Sequence, residues 1–219
     1  MYSGDSDELQ AARAQLVSYS ARLLADGLAI GSAGNISVRV GDAVAITPSG
    51  IPYDGMRPED VCLVAMDGTE LASSETPSTE TPMHLAIYRA TNAEAIVHTH
   101  SPFVVALSAV LDELPAIHYA MAGLGGPVRV APYARFGSQE LADAAVAALA
   151  GRTAVILGNH GALAYGASLG QAYDRARTLE WLASVYWHAR LAGRPRTLTV
   201  AQLDEVRQAA RAIRYGEPD

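Results

Sequence analysis

Two short, uninterrupted apolar runs, Ala95-Ile-Val-His98 and Thr153-Ala-Val-Ile-Leu157, stand between strong helix-start signals and constrain this chain most. Runs this short without polar alternation read as strands buried on both faces. The helix signals between and around them are equally plain. Pro82 at a first helical position opens a helix through His84, Leu85 and Tyr88, and Ser101-Pro102 is an N-cap followed by a first-position proline. Ser138 caps a helix to about Ala150, and Ser168-x-x-Gln171 and Thr199-x-x-Gln202 are capping-box patterns opening the last two helices. Near the start, Leu9, Ala12, Leu16, Tyr19 and Leu23 recur at helical steps, and the helix ends at Asp26-Gly27. Ile36-Ser-Val-Arg-Val40 and Ala43-Val-Ala-Ile-Thr47 flank Gly41-Asp42 as a hairpin. Helices and short strands are therefore interspersed, with a hairpin early on. A layered α/β domain with a mixed or largely antiparallel sheet fits better than a strict alternation of parallel units. No repeat, linker or low-complexity block divides the 219 residues, so one domain over 1–219 is expected.

Composition excludes several chemistries. All 16 basic residues are arginine, so imine chemistry on a lysine amine is ruled out, as is a phosphate loop built on Gly-Lys-Ser/Thr. A net charge of −7 argues against a general nucleic-acid binder. No apolar stretch approaches the ~20 residues needed to span a bilayer, so no membrane span is expected. Met1 leads into a polar, acidic segment without a signal-like apolar region, which predicts a cytoplasmic protein. The single cysteine, Cys62, permits no internal disulfide.

Of six histidines, two form His98-Thr-His100, where side chains two apart on a strand end point to one face. His160 follows the second apolar run in Gly158-Asn-His-Gly161, at the end of a buried strand. Each pattern alone also suits an ordinary sheet or turn residue. Together, three imidazoles at the ends of two buried strands point to a metal site with one position left open, for which zinc is well suited. Manganese or cobalt would also accept these ligands. His84, His118 and His188 lie in helical or ordinary contexts and read as structural.

Three segments, Gly31-Ser-Ala-Gly-Asn35, Thr47-Pro-Ser-Gly50 and Pro77-Ser-Thr-Glu80, offer hydroxyls and backbone amides without positive charge. Such turns can bind phosphate, and each is equally compatible with a plain turn. Glu80, just before the helix opened by Pro82, either caps that helix or acts as a general base. A second Ser-Ser-Glu at Ser73–Glu75 lacks the following Thr-Pro and reads as loop.

Taken in order, these segments resemble the class II aldolase/adducin superfamily, in particular its L-fuculose-1-phosphate aldolase branch. The motifs are Gly31-Ser-Ala-Gly-Asn-Ile-Ser37, Ile46-Thr-Pro-Ser-Gly-Ile-Pro-Tyr53, Pro77-Ser-Thr-Glu80, Val97-His-Thr-His100 and Asn159-His-Gly161, with Ile117-His-Tyr119, Ala131-Pro-Tyr-Ala-Arg-Phe-Gly137 and Arg214-Tyr-Gly216 in support. The likeness spans roughly residues 8–217. Ser32 replaces the usual Thr and Thr79 a common Ser, both keeping a hydroxyl.

The resemblance implies a three-layer α-β-α domain around a mostly antiparallel sheet, assembled as a homotetramer with sites at subunit interfaces. It implies zinc on His98, His100 and His160, with Glu80 filling the remaining position when substrate is absent. Phosphate would lie on Ser32, Gly34, Asn35, Ser49, Gly50, Ser78 and Thr79. Glu80 would be the acid–base group, and Tyr119 from a neighbouring subunit would handle the aldehyde oxygen. Phe136 and Tyr215 would shape the aldehyde pocket.

The implied reaction is reversible cleavage of a ketose 1-phosphate such as L-fuculose 1-phosphate to dihydroxyacetone phosphate and a small aldehyde such as L-lactaldehyde. Alternatives within the superfamily are an aldolase or dehydratase for another deoxy- or methylthio-pentulose phosphate, and L-ribulose-5-phosphate 4-epimerase. A non-catalytic adducin-like interaction module is the remaining alternative, although such heads lack the metal histidines present here.

Overall fold

The structure is a computed structural model describing residues 7–213. Its core is a nine-stranded sheet flanked by helices on both faces. The strands, in chain order, are β1 (Asn35–Val40), β2 (Ala43–Ile46), β3 (Cys62–Ala65), β4 (Glu70–Ala72), β5 (Ala95–Thr99), β6 (Glu113–Leu114), β7 (Val128–Ala131), β8 (Ala154–Leu157) and β9 (Gly161–Gly166). They lie in the order β4-β3-β2-β1-β5-β9-β8-β7-β6. Every pairing among the described residues is antiparallel except β7 with β8. The mostly antiparallel α/β architecture expected above is the one observed.

The helices are α1 (Asp7–Ala25), α2 (Thr81–Ala90), α3 (Pro102–Ser108), α4 (Gln139–Ala148), α5 (Leu169–Ala192) and α6 (Val200–Ala212). Because side chains alternate across a strand, each central strand feeds two cores. Ala95 and Val97 of β5, with Ala154 and Ile156 of β8, face the core built with α1, α3, α5 and α6. Ile96, Val155 and Leu157 face the opposite core, closed by α2 and α4. This two-sided demand explains why both runs are apolar without alternation. Among the described residues no helix is long and apolar enough to cross a membrane.

Local readings need small corrections. On α1 the fourth buried position is Ser20, while Tyr19 is half-buried and packs edge-on against Tyr173 at 5.2 Å between ring centroids. Helix α2 begins at Thr81, so Pro82 is its second residue; proline tolerates either position because neither amide has an intrahelical acceptor. Thr199 and Gln202 form a reciprocal capping box. At Ser168 only half of that pattern closes, since the Gln171 side chain accepts from the Ala167 amide instead.

Topology decides where the functional segments go. With β1 antiparallel to both β2 and β5, the start of β1 and the ends of β2 and β5 share one end of the sheet. With β9 antiparallel to β5 and β8, the β8–β9 turn joins them there. Segments more than a hundred residues apart thus converge on one end.

Candidate metal centre and active site

His98 occupies β5 directly opposite Asn35 of β1 and Leu163 of β9. His100 follows two residues on, at the strand's exit, and His160 occupies the tight turn between β8 and β9. The three rings form a nearly equilateral triangle, with centroids 4.8, 4.9 and 4.9 Å apart. Close backbone packing permits this. Gly161 has no room for a Cβ, which would collide with the Thr99 carbonyl and crowd the His100 ring. Gly34, with φ +78°, would bring a Cβ within 2.6 Å of the His98 carbonyl oxygen.

Glu80 completes the cluster. Its backbone precedes α2 at the N-cap position, but its side chain makes no capping bond. The carboxylate turns inward instead, with Oε2 2.9 Å from His98 Nε2 and Oε1 3.4 Å from His160 Nε2. The choice between helix cap and inward-facing carboxylate is thereby decided in favour of the latter. Ser73–Glu75 remains in a loop, where the Glu75 carbonyl accepts from the Cys62 thiol.

One potential ligand atom from each of Glu80, His98, His100 and His160 lies within 4.8 Å of all the others. The donor set fits a divalent cation on two further observations. His98 Nδ1 donates to the Ala162 carbonyl at 2.8 Å, fixing the ring's orientation so that Nε2 faces the cluster. Glu80 Oε1 is buried with no hydrogen-bond partner, an expensive state that a cation would relieve. His98, His100 and His160 would hold such an ion, with Glu80 beside it.

The electrostatics agree. Burial pushes the His100 imidazole down to about 3, with positive charge on His98 and His160 pushing the same way. Burial pushes His160 down to about 4. Both rings are therefore neutral near pH 7, the form that binds metal. Burial alone would raise the Glu80 carboxyl, but charge and hydrogen bonding from His98, then His160 and the Asn35 amide, hold it below the usual range. The same carboxylate outweighs burial at His98 and raises its pKa.

Above the cluster opens a cleft of about 360 Å³. Ser32, Gly34, Asn35, Ser49, Gly50, Ser78, Thr79 and Phe136, all singled out in the sequence, line it with Glu80, His100 and His160. The second and third hydroxyl-rich segments are laced together: the Ser49 amide donates to the Thr76 carbonyl at 2.8 Å, and the Ser78 amide to the Thr47 carbonyl at 3.2 Å. Among the described residues no arginine lines the cleft. Asn35 is committed within the protein, because its amide nitrogen donates to Glu80 Oε2 at 3.0 Å and its oxygen lies 2.6 Å from His84 Nε2.

Tyr119 begins a short 3-10 turn (Tyr119–Leu124), is 58% exposed, and does not line this cleft. Tyr215 lies outside the described residues. Sequence reasoning missed Tyr133 and Asn159, which also line the cleft; Asn159 has a positive φ of 53° in the β8–β9 turn. It also read His84 as merely structural, although that ring reaches the cluster through Asn35. The available signal was its position four residues after Glu80, hence on one helix face, together with the need of a buried imidazole for partners.

A family profile described as Class II Aldolase and Adducin N-terminal domain matches residues 14–187. The chain belongs to this family. Among its relatives, 5-deoxy-D-ribulose 1-phosphate aldolase of Bacillus thuringiensis is 38% identical over 201 residues, covering 90% of this chain and 94% of the relative. L-fuculose phosphate aldolase of Escherichia coli K12 is 38% identical over 162 residues, covering 73% and 75%. A solved L-fuculose 1-phosphate aldolase superposes with a TM-score of 0.90 at 33% identity, covering 96% of this chain and 98% of that one. This class II aldolase is accordingly an enzyme of the lyase type, and its histidine–glutamate cluster is a candidate metal centre.

Proposed function

We propose that this class II aldolase cleaves a ketose 1-phosphate between C3 and C4, reversibly, to dihydroxyacetone phosphate and a small aldehyde. The observation that carries this reading is Glu80: a buried carboxylate with one oxygen that lacks a hydrogen bond, set among three imidazoles at a cleft walled by uncharged hydrogen-bond donors. L-fuculose 1-phosphate is the first candidate substrate. The 90% coverage by a 5-deoxy-D-ribulose 1-phosphate aldolase favours that sugar phosphate as a second. Both would yield dihydroxyacetone phosphate and an aldehyde ending in a methyl group.

The phosphate lies on the hydroxyls of Ser32, Ser49, Ser78 and Thr79 and on backbone amides near Gly34, Asn35 and Gly50 in this reading. Neutral donors suffice where amides converge on an anion. His98, His100 and His160 would hold zinc, which would supply a Lewis acid worth several kcal/mol against negative charge developing on the substrate. During cleavage the C4 hydroxyl proton passes to Tyr119, contributed by a neighbouring subunit of a homotetramer. The C3–C4 bond breaks, its electron pair remains on the dihydroxyacetone phosphate half, and Glu80, which enters this direction protonated, gives its proton to C3; between turnovers Tyr119 releases its proton to solvent and Glu80 takes one up. Phe136 and Tyr215 bound the aldehyde. The exposure of Tyr119 away from its own cleft supports a role in a neighbour's site.

The test is release of dihydroxyacetone phosphate from each of the two sugar phosphates, before and after chelation and again after zinc is restored. Release that vanishes with the metal and returns with zinc is expected. A folded, zinc-loaded protein that releases nothing from either compound would overturn the proposal. Glu80→Gln should retain zinc and lose turnover.

A further inference from the structure

Behind Glu80 a line of buried polar groups runs away from the cleft between β1 and α2. Asn35 Nδ2 is 3.0 Å from Glu80 Oε2, and Asn35 Oδ1 is 2.6 Å from His84 Nε2. His84 Nδ1 is 2.7 Å from Ser37 Oγ, which is 2.9 Å from the Tyr88 hydroxyl. All five side chains are buried, and His84 is fully enclosed.

Chemistry permits one proton order along this line. An ionised carboxylate only accepts, so the NH₂ of Asn35 must face Glu80 and its carbonyl must face His84. That carbonyl also only accepts, so the proton of a neutral His84 sits on Nε2. Burial holds His84 neutral by pushing it down to about 3. Its Nδ1 therefore accepts the Ser37 hydroxyl proton, and Ser37 accepts from Tyr88. The donors and acceptors along the line therefore match from Tyr88 to Glu80 Oε2.

The consequence falls on the two oxygens of Glu80. Oε2 is pinned by Asn35 and lies beside His98, whereas Oε1 has no hydrogen-bond partner. We propose that His84 is a positioning residue: held by Ser37 and Tyr88, it locks the Asn35 amide so that Oε2 stays an acceptor and Oε1 is the oxygen that carries the reaction proton. This rests on the reading of Glu80 as the acid–base group. Fixing the carboxylate by a buried partner that is itself fixed is how a side chain is kept within the narrow geometry that proton transfer requires.

Two measurements test it. In ¹H–¹⁵N spectra of the imidazoles, with and without zinc, His84 is expected as the Nε2–H tautomer; an Nδ1–H tautomer or a charged ring at pH 7 overturns the proton order. In steady-state kinetics on whichever sugar phosphate is cleaved, His84→Leu is expected to lower kcat by about 10- to 100-fold, with KM and zinc content little changed. His84→Gln keeps a donor for Asn35 and is expected to recover most of that loss.

Full kcat in folded, zinc-loaded His84→Leu overturns the proposal, as does an equal loss in the leucine and glutamine variants. If the leucine variant does not fold, Ser37→Ala takes its place. It removes the bond that holds His84 Nδ1 and should lower kcat while the Asn35 carbonyl keeps the proton on Nε2, and an unchanged kcat refutes the assignment. Glu80→Gln, run alongside, separates the two layers. Turnover in that variant removes the acid–base reading itself, whereas its loss combined with full activity in His84→Leu removes only the positioning role.

Discussion

The Glu180 carboxylate on α5 lies 2.9 Å from the Val104 amide nitrogen, closing the N-terminus of α3 from another helix. Its second oxygen accepts from the Phe103 amide at 3.0 Å. Ser101, the residue that sequence nominates as the cap, makes no capping bond. A carboxylate at a helix N-terminus satisfies two orphan donors and the helix dipole together. Since α3 starts just after His100, this contact also anchors the segment carrying that imidazole. Glu180→Ala is expected to cost about 1–2 kcal/mol in urea unfolding of the zinc-loaded protein. A change below ~0.5 kcal/mol, the usual scale of a neutral surface substitution, would show that the cap contributes nothing.

Gly34 should tolerate no side chain. Its φ of +78° already disfavours an L-residue, and a Cβ would meet the His98 carbonyl oxygen at 2.6 Å. Gly34→Ala is expected to lose about 2–3 kcal/mol and to bind zinc more weakly, because relief of the clash must shift β1 against β5. Wild-type stability with stoichiometric zinc would contradict this.

His84 should make stability depend on pH. Its ring titrates near 6.5 when unfolded, while burial and then the charge on His98 hold it down to about 3 in the folded protein. Between those values the unfolded chain binds the extra proton. The stability tied to a neutral His84 is thus complete above pH 6.5 and declines as pH falls towards 3, by about 1.4 kcal/mol per pH unit. Unfolding free energies measured from pH 6 to 4 should fall less steeply in His84→Gln, by roughly one proton's worth of slope. Parallel curves would show that the ring is not held neutral.

Cys62 should be chemically silent in the native state. It is buried, and burial pushes its thiol up to about 11. The thiolate is the reactive form, so an aromatic disulfide reagent at pH 8 should label the folded protein only as fast as it opens, and should titrate one thiol in denaturant. Prompt labelling of native protein would exclude the burial described.

The legible parts of the fold were those whose sequence carried a local reason. β5 and β8 are apolar because both faces are covered, and the Ser138 and Thr199 caps accept from the amides of Leu141 and Gln202 as their patterns predict. β9 went unread because Gly161–Gly166 is glycine- and alanine-rich and lacks β-branched residues. β6 and β7 span two and four residues, too few for alternation to register. At the site, residue types identified the three imidazoles and Glu80. The commitment of Asn35 to Glu80 and His84 was not legible, because it follows from the register that sets Asn35 opposite His98. Such long-range pairing leaves no mark on a single segment.

That strand order also has a consequence for biosynthesis. β5 acquires one neighbour from residues before it and the other, β9, only after a further sixty residues have been made. A chain emerging amino-terminus first therefore has Glu80, His98 and His100 long before it has His160, and cannot bring the four side chains together until β9 is available to dock. Assembly of the complete cluster is a late event in maturation, and a complete cluster marks a chain whose central sheet has closed.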